Sequence, residues 1–299
     1  MKDGKASIDA SLTKKVLRKV LEEALGTETA KQKYASFDLI GDIAVLRLPS
    51  GLEYLSPVLG EALLKANRRI ATVLLQKGGI SGNFRLRNLK WILGERRTET
   101  IHKEHGCLFK VDLAKAYFSP RLQYERLRIA RLIKPLENLV NLFSGVGCFS
   151  IVAAKHSLLR YAFSIDLNPD AVKLMEENVK LNKLEARVLP ILGDAKDVVA
   201  HSLVGVADRV LMPLPELVYE YLDTAIKALK PSGGFLHLYD FAHASKNEDP
   251  IKKVMERASS RLQSLKVKYR IIFGRIVRNV GPNWYQVALD VRTMPSDEG

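Results

Sequence analysis

Cysteine is scarce in this 299-residue chain: there are two, Cys107 and Cys148, far apart in sequence. Such a pair builds neither a disulfide framework nor a zinc site, and it fits a reducing cytoplasm. Long apolar runs are also missing. No uninterrupted stretch reaches the roughly 20 residues that a membrane-spanning helix needs. The first 25 residues are charged throughout and lack the apolar core of a secretory signal. No Walker A sequence is present, which argues against a P-loop NTPase. Internal repeats are absent, and the one low-complexity stretch is a short polar tail at 295–299. The expectations are a cytoplasmic location, no membrane and no metal.

Positive charge is what the chain has in excess. It carries 47 Lys and Arg against 33 Asp and Glu, a formal net charge of +14. A surplus of this size favours a polyanionic partner, most often nucleic acid. A solvated basic surface is the plainer reading of the same number. The hydrophobic fraction of 47% is ordinary for a globular protein. The length accommodates two domains, or one with an extension.

Apolar periodicity divides the chain. Leu12, Val16, Leu17, Val20, Leu21 and Leu25 recur at helical spacing, which predicts a helix over 8–25. Residues 26–33 are polar and read as a linker. Residues 36–118 read as a small α+β domain with a mostly antiparallel sheet: two strands around Gly41-Asp42, a helix over 58–69, and further strands at 71–75, 91–92, 98–102 and 107–111. An amphipathic helix over 121–134 is closed by Pro135. Strands and helices then alternate: strand 138–143, helix 148–156, strand 161–166, helix 169–181, strands 187–192 and 208–212, helix 216–229, strand 234–240. That order predicts a doubly wound parallel sheet. A helix at 249–264 and an antiparallel edge pair at 267–273 and 284–292 complete it. The expected domains are therefore 1–35, 36–118 and 119–299.

Three strand ends in this sheet carry ligand chemistry. Phe143-Ser144-Gly145-Val146-Gly147-Cys148 follows a strand and opens a helix, where glycines permit a tight turn and close ligand approach. Asp166 ends the next strand, just before Leu167, where a carboxylate can accept bonds from both ribose hydroxyls of an adenosine ligand. Asp194, followed by Ala195, ends the third strand, where a side chain can meet an adenine amino group. Each acid alone also reads as a loop residue or a helix cap. A dehydrogenase shares this sheet, but its usual G-x-G-x-x-G is broken here at Ser150.

The run from Ser36 onward resembles the archaeal and eukaryotic tRNA (guanine-37-N1)-methyltransferases. The motifs that carry the resemblance are Gly60-Glu61-Ala62-Leu63-Leu64, Gly94-Glu95, Thr98 to Glu104, Tyr117-Phe118-Ser119-Pro120-Arg121-Leu122, Glu125-Arg126, and Val277 to Trp284. The resemblance implies a class I, Rossmann-like methyltransferase fold that uses S-adenosyl-L-methionine without a metal. It implies a monomer acting on the purine at position 37 in the anticodon stem-loop of tRNA. It also implies roles: Glu125 as the general base for N1, Arg85 at the base edge, Tyr117 and Phe118 around the methionine part of the cofactor, and Arg126 in contact with the cofactor. On the residues alone, Glu125 reads as an exposed glutamate paired i,i+3 with Arg128, and Arg85 as a phosphate-binding arginine.

Two departures from that pattern stand out. Only about 35 residues precede Ser36, too few for the small N-terminal domain with which the family reads the tRNA elbow. The strand-four motif, usually Asn-Leu-Pro or Asn-Pro-Pro, is here Met212-Pro213-Leu214-Pro215. Pro213 has neither a side-chain donor nor an amide N–H to orient a methyl group or a base. This resembles the archaeal wyosine-biosynthesis branch, which methylates C7 of 4-demethylwyosine in tRNA(Phe), some members also N1 of guanosine. A transferase moving the aminocarboxypropyl group of the same cofactor is the alternative, and a non-catalytic RNA-binding module is a third reading. Basic residues concentrate at Arg68, Arg69, Arg85, Arg87, Lys90, Arg96 and Arg97, and again at Arg121, Arg126, Arg128 and Arg131.

Overall fold

A computed structural model describes residues 4–32 and 35–295. The chain forms two compact units. One comprises the residues up to Glu104 together with Leu108–Arg121, and the other comprises His105–Cys107 and Leu122 onward.

The first unit begins with α1 (Gly4–Leu25) and α2 (Thr27–Gln32). Gly26, at φ 78°, ends α1 in the left-handed conformation that glycine adopts at low cost. The polar stretch predicted to be a linker thus contains a short second helix. There follow β1 (Ser36–Ile40), β2 (Ile43–Arg47), α3 (Ser56–Ala66), β3 (Thr72–Ser81) and β4 (Leu86–Gly94). These strands form one sheet in the order β1-β2-β3-β4. The β1–β2 and β3–β4 pairs are antiparallel, as predicted for most of the sheet. The β2–β3 pair is parallel, because α3 carries the chain back across the sheet between them. Four successive residues of β2, Ile43 to Leu46, are buried, as a strand covered on both faces requires. Leu17 and Leu21 of α1 join Leu59 and Leu63 of α3 and Val73 and Leu75 of β3 in one core. Gly41 makes the β1–β2 turn at φ 57°, and a Cβ there would lie 2.1 Å from Thr100 Oγ1. β5 (Glu99–Glu104) and β6 (Cys107–Asp112) form a separate two-stranded sheet.

The second unit contains α4 (Gln123–Leu132), β7 (Asn138–Asn141), α5 (Cys148–His156), β8 (Tyr161–Asp166), α6 (Pro169–Leu181), β9 (Val188–Leu192), α7 (Ala195–Val198), β10 (Arg209–Met212), α8 (Leu222–Ala228), β11 (Phe235–His243), α9 (Pro250–Ser264), β12 (Tyr269–Gly281) and β13 (Trp284–Thr293). Seven strands form a sheet in the order β12-β13-β11-β10-β7-β8-β9. The five from β9 to β11 are parallel. β13 and β12 are added antiparallel at one edge, where the sequence placed them. The order runs outward from β7 in one direction and from β10 in the other. The crevice between them, at the carboxyl ends, is the switch point where such sheets bind ligands. Apolar side chains of the central strands, including Val140, Ile165, Val210, Leu236 and Leu289, pack with Val254, Ala258 and Leu262 of α9. The antiparallel β12–β13 ladder is interrupted by three register shifts on β12.

Helix starts follow local chemistry. Asn168 and Asp249 each precede a proline and accept a hydrogen bond from the N–H two residues on, at 3.0 and 2.8 Å. Pro at the first helical position suits such a start. Two segments differ from expectation. The helix predicted over 216–229 is reduced to α8, because a 3-10 turn at Pro215–Leu217 and an irregular stretch precede it. Between β9 and β10, where no helix was expected, α7 runs into a π-helical turn at Val199–Leu203.

Candidate cofactor and catalytic site

The carboxyl edge of the second unit's sheet gathers the strand-end residues. After β7 the chain passes Phe143 and turns through Gly145, at φ 54°, and Gly147, at φ 87°. A Cβ at Gly147 would lie 2.8 Å from Met175 Cγ, so this glycine also serves close packing against α6. Asn178 of α6 donates to the Val146 carbonyl at 3.0 Å and pins the loop from below. Asp166, at the end of β8, holds it from the side. Its Oδ2 accepts from Gly145 N at 2.6 Å and its Oδ1 from Asn168 N at 3.0 Å. Burial pushes the Asp166 carboxyl above its ordinary pKa, against the pull of backbone N–H groups at Asn168, Gly145 and Leu167. Each carboxylate oxygen has a second lone pair, so the pair keeps capacity for two hydroxyl donors. Leu167 is 48% exposed beside it, an apolar surface at the rim of the polar site.

Asp194 performs the capping role that its plainer reading describes, and more. Its Oδ1 accepts from Lys196 N at 2.8 Å, at the start of α7, while Ala195 is buried behind it. Its Oδ2 accepts from the Tyr221 hydroxyl at 2.9 Å. The Tyr221 ring meets Phe143 edge-on, with centroids 5.1 Å apart. Tyr221 therefore ties the ends of β7 and β9 together. Burial and the neighbouring Asp194 raise its pKa, so it remains a donor. Sequence reading missed this residue, since a lone tyrosine before a helix carries no signal of its own. Pro213 is half-buried directly after β10, between the ends of β7 and β11.

Glu125 lies on α4 and is 1% exposed. The i,i+3 pair with Arg128 exists, Nε to Oε2 at 2.9 Å, but it is buried rather than solvated. The Tyr239 hydroxyl donates to the same oxygen at 3.0 Å. Arg275 Nη1 stands 3.2 Å from Oε1, yet that oxygen receives no well-directed hydrogen bond. Arg128 also grips Asp290 of β13, Nη1 to Oδ2 at 2.6 Å and Nη2 to Oδ1 at 3.2 Å. His237 Nδ1 lies 2.7 Å from Asp290 Oδ1. The result is a chain of buried groups that fixes the Glu125 carboxylate. Tyr239 packs on Phe149, the second residue of α5, with centroids 5.8 Å apart. The buried Arg126 guanidinium lies 6.0 Å from the Phe149 ring centroid, so α4 addresses the helix that the glycine loop opens.

Burial alone would raise the Asp290 pKa, but His237 and Arg128 outweigh it and hold it at about 2. A depressed carboxylate contributes stability above its unfolded value that is lost as pH falls through the folded one. His237, whose proton affinity burial lowers, acts in the same direction. Denaturant midpoints should therefore drop between about pH 4 and pH 2, with Asp290 supplying roughly 2 kcal/mol of the loss. Asp290→Asn should flatten that part of the profile. An unchanged profile would remove Asp290 from this account.

Arg85, Tyr117 and Phe118 belong to the first unit. Arg85 follows the β3–β4 turn at φ 54°, and its guanidinium lies 4.8 Å from the Tyr117 ring centroid. The structure thus brings these two together. The Phe118 ring is buried against His102, with centroids 5.0 Å apart, and its carbonyl accepts from Arg87 Nη2 at 2.8 Å.

The strand order, the glycine loop and the acids at successive strand ends define a class I methyltransferase. Comparison with known proteins narrows the class. Residues 100–268 match the family described as TRM5/TYW2 methyltransferase domain, and residues 17–98 match the TYW2 N-terminal domain. The chain belongs to the TRM5/TYW2 family. It is 38% identical to tRNA (guanine(37)-N(1))-methyltransferase Trm5b of Pyrococcus abyssi, over 86% of this chain and 74% of that protein. It is also 38% identical to tRNA 4-demethylwyosine(37)-methyltransferase Taw21 of Saccharolobus solfataricus, over 85% of this chain and 92% of that protein. Among solved structures, the complex of aTrm5 with tRNALeu matches with a TM-score of 0.80 at 32% identity, covering 92% of this chain and 77% of the other. No described helix is long and apolar enough to cross a membrane, and no metal-ligating cluster occurs among the described residues.

Proposed function

We propose that this protein is an S-adenosyl-L-methionine-dependent methyltransferase that modifies the purine at position 37 of tRNA(Phe), on C7 of 4-demethylwyosine, N1 of guanosine, or both. The observation that carries the reading is the buried Glu125 carboxylate, held by Arg128, Tyr239 and Arg275, with Oε1 accepting no well-directed hydrogen bond. Both acceptor atoms must lose a proton, and a positioned carboxylate beside the cofactor domain supplies the base.

The cofactor, when bound, supplies an electrophilic methyl group. Asp166 takes the ribose hydroxyls, and Asp194, steadied by Tyr221, takes the adenine amino group. Gly145 and Gly147 let the main chain approach, while Leu167 and Phe143 cover apolar faces. Arg126 orients the cofactor from α4. Arg85 and Tyr117 contact the base and the methionine end, with Phe118 supporting them. Catalysis is then mostly positioning of the acceptor, plus stabilisation of charge on the base.

Pro213 favours the tricyclic base. A prolyl ring at the end of β10 cannot present the amide that the asparagine of the related motif offers. The enzyme works as a cytoplasmic monomer in this reading, with both cysteines reduced and buried.

Mass analysis of tRNA(Phe) decides the matter. Substrate carrying 4-demethylwyosine should gain one methyl group and release S-adenosylhomocysteine. Methylation of guanosine alone would refute the wyosine assignment. Release of methylthioadenosine would identify an aminocarboxypropyl transfer instead.

A further inference from the structure

The first unit holds an open groove of about 740 Å³ that the cofactor chemistry does not use. Arg47, at the end of β2, and Lys77 and Lys90, from β3 and β4, line it together with Ser50, Glu53 and Tyr54. Its floor includes Leu48 and Leu75.

The groove is overcharged. Lys77 and Lys90 are exposed, and neither ammonium has a carboxylate partner among the described residues. Arg47 grips the buried Asp38 through both guanidinium nitrogens, at 2.8 and 3.0 Å. Asp38 already serves two other arginines: Arg121 Nε at 2.8 Å, and Arg87 Nη1 at 3.6 Å. Burial would raise the Asp38 pKa, but these guanidiniums outweigh it and lower it. One carboxylate thus stands against three arginines, and the buried Arg87 Nε has no acceptor among the described residues. Glu53 is the one acid in the lining. Arg47, Lys77 and Lys90 thus face a single acid in the lining, which leaves the groove with a positive surplus.

The rim adds an aromatic platform. Tyr54 is 66% exposed, with its ring available for stacking. Unpaired lysines beside an exposed aromatic ring match the way proteins hold single-stranded nucleic acid: phosphates on the cations, a base on the ring.

We infer that this groove binds an unpaired nucleotide of the tRNA substrate, with Tyr54 against the base and Lys77 and Lys90 on the flanking phosphates. The inference rests on the tRNA reading above and adds a contact site distinct from the residues assigned to the cofactor and the target base.

The test uses the full chain. Affinity for tRNA is measured by fluorescence anisotropy across a salt series, alongside kcat, KM and cofactor Kd. The double variant Lys77→Gln/Lys90→Gln should raise the KM for tRNA about tenfold and reduce the log–log salt slope by about 1.4, since each phosphate contact on a single strand contributes about 0.7. Tyr54→Ala should weaken binding by about fivefold or more, and Tyr54→Phe should restore it. In each variant kcat and cofactor Kd should stay at the native level. Unchanged KM and salt slope in the lysine variants, with a native protein that does bind and modify tRNA, would overturn the groove assignment alone. A native protein that neither binds nor modifies tRNA would overturn both readings.

Discussion

Asp166→Ala should weaken cofactor binding by about two to four orders of magnitude, measured by isothermal titration. The magnitude follows from two hydrogen bonds to a charged acceptor, each contributing roughly 1.5–3 kcal/mol. A second effect adds to it. The same carboxylate receives Gly145 N at 2.6 Å and Asn168 N at 3.0 Å, so its loss also frees the glycine loop and the cap of α6. Asp166→Asn keeps one accepting oxygen and should fall between the native protein and the alanine variant. The raised pKa sets a pH signature. Binding requires the carboxylate, so affinity should begin to fall with decreasing pH earlier than an ordinary aspartate would cause. Near-native affinity in Asp166→Ala would dismiss the ribose assignment.

The second large effect belongs to Glu125. Glu125→Gln should lower kcat by about 10²–10⁴-fold, the usual range for a lost general base. Cofactor Kd should change little, because the glycine loop and both strand-end aspartates remain. Stability must be followed in parallel. Removing one partner of a buried ion pair costs about 3–5 kcal/mol; here Arg275 loses the Glu125 carboxylate, while Arg128 keeps Asp290. Thermal unfolding therefore accompanies the kinetics, and Glu125→Asp provides a variant that keeps the charge. A slow variant that still melts cooperatively and binds cofactor supports the base. A folded Glu125→Gln with native kcat would assign the residue to structure alone.

Much of the second unit is legible in the sequence. β8 and α6 were readable because each is specified locally: a buried apolar run ending in Asp166, then Asn168-Pro169 as a helix start. The glycine loop and its acids share one edge because parallel strands with crossovers place every carboxyl end there. The rest depends on residues far apart in the chain. Arg128 meets Asp290 across 162 positions, and Tyr239 reaches Glu125 across 114. Neither pair leaves a local pattern. Glu125 therefore looked like a solvated helix residue until its burial was visible. The short helices α2 and α7 escaped for another reason. Six and four residues bury too little to generate periodicity, and tertiary packing rather than propensity holds them. The parallel β2–β3 pair likewise follows from the path of α3, not from either strand's own residues.

β12 forms the outer margin of the seven-stranded sheet, and it is thirteen residues long. Ile272, Phe273, Ile276 and Val280 are exposed along it. A straight apolar margin of that length is a template on which another chain can build a strand. The three register shifts deny it that use, since each bulge bends the backbone and spoils the spacing of the free N–H and C=O groups. Arg270, Arg275 and Arg278 interrupt the apolar side chains along the strand. Irregularity of this kind is how sheet margins resist pairing with another chain. A shortened β12 with its bulges removed would lose that protection while leaving the carboxyl edge of the sheet intact.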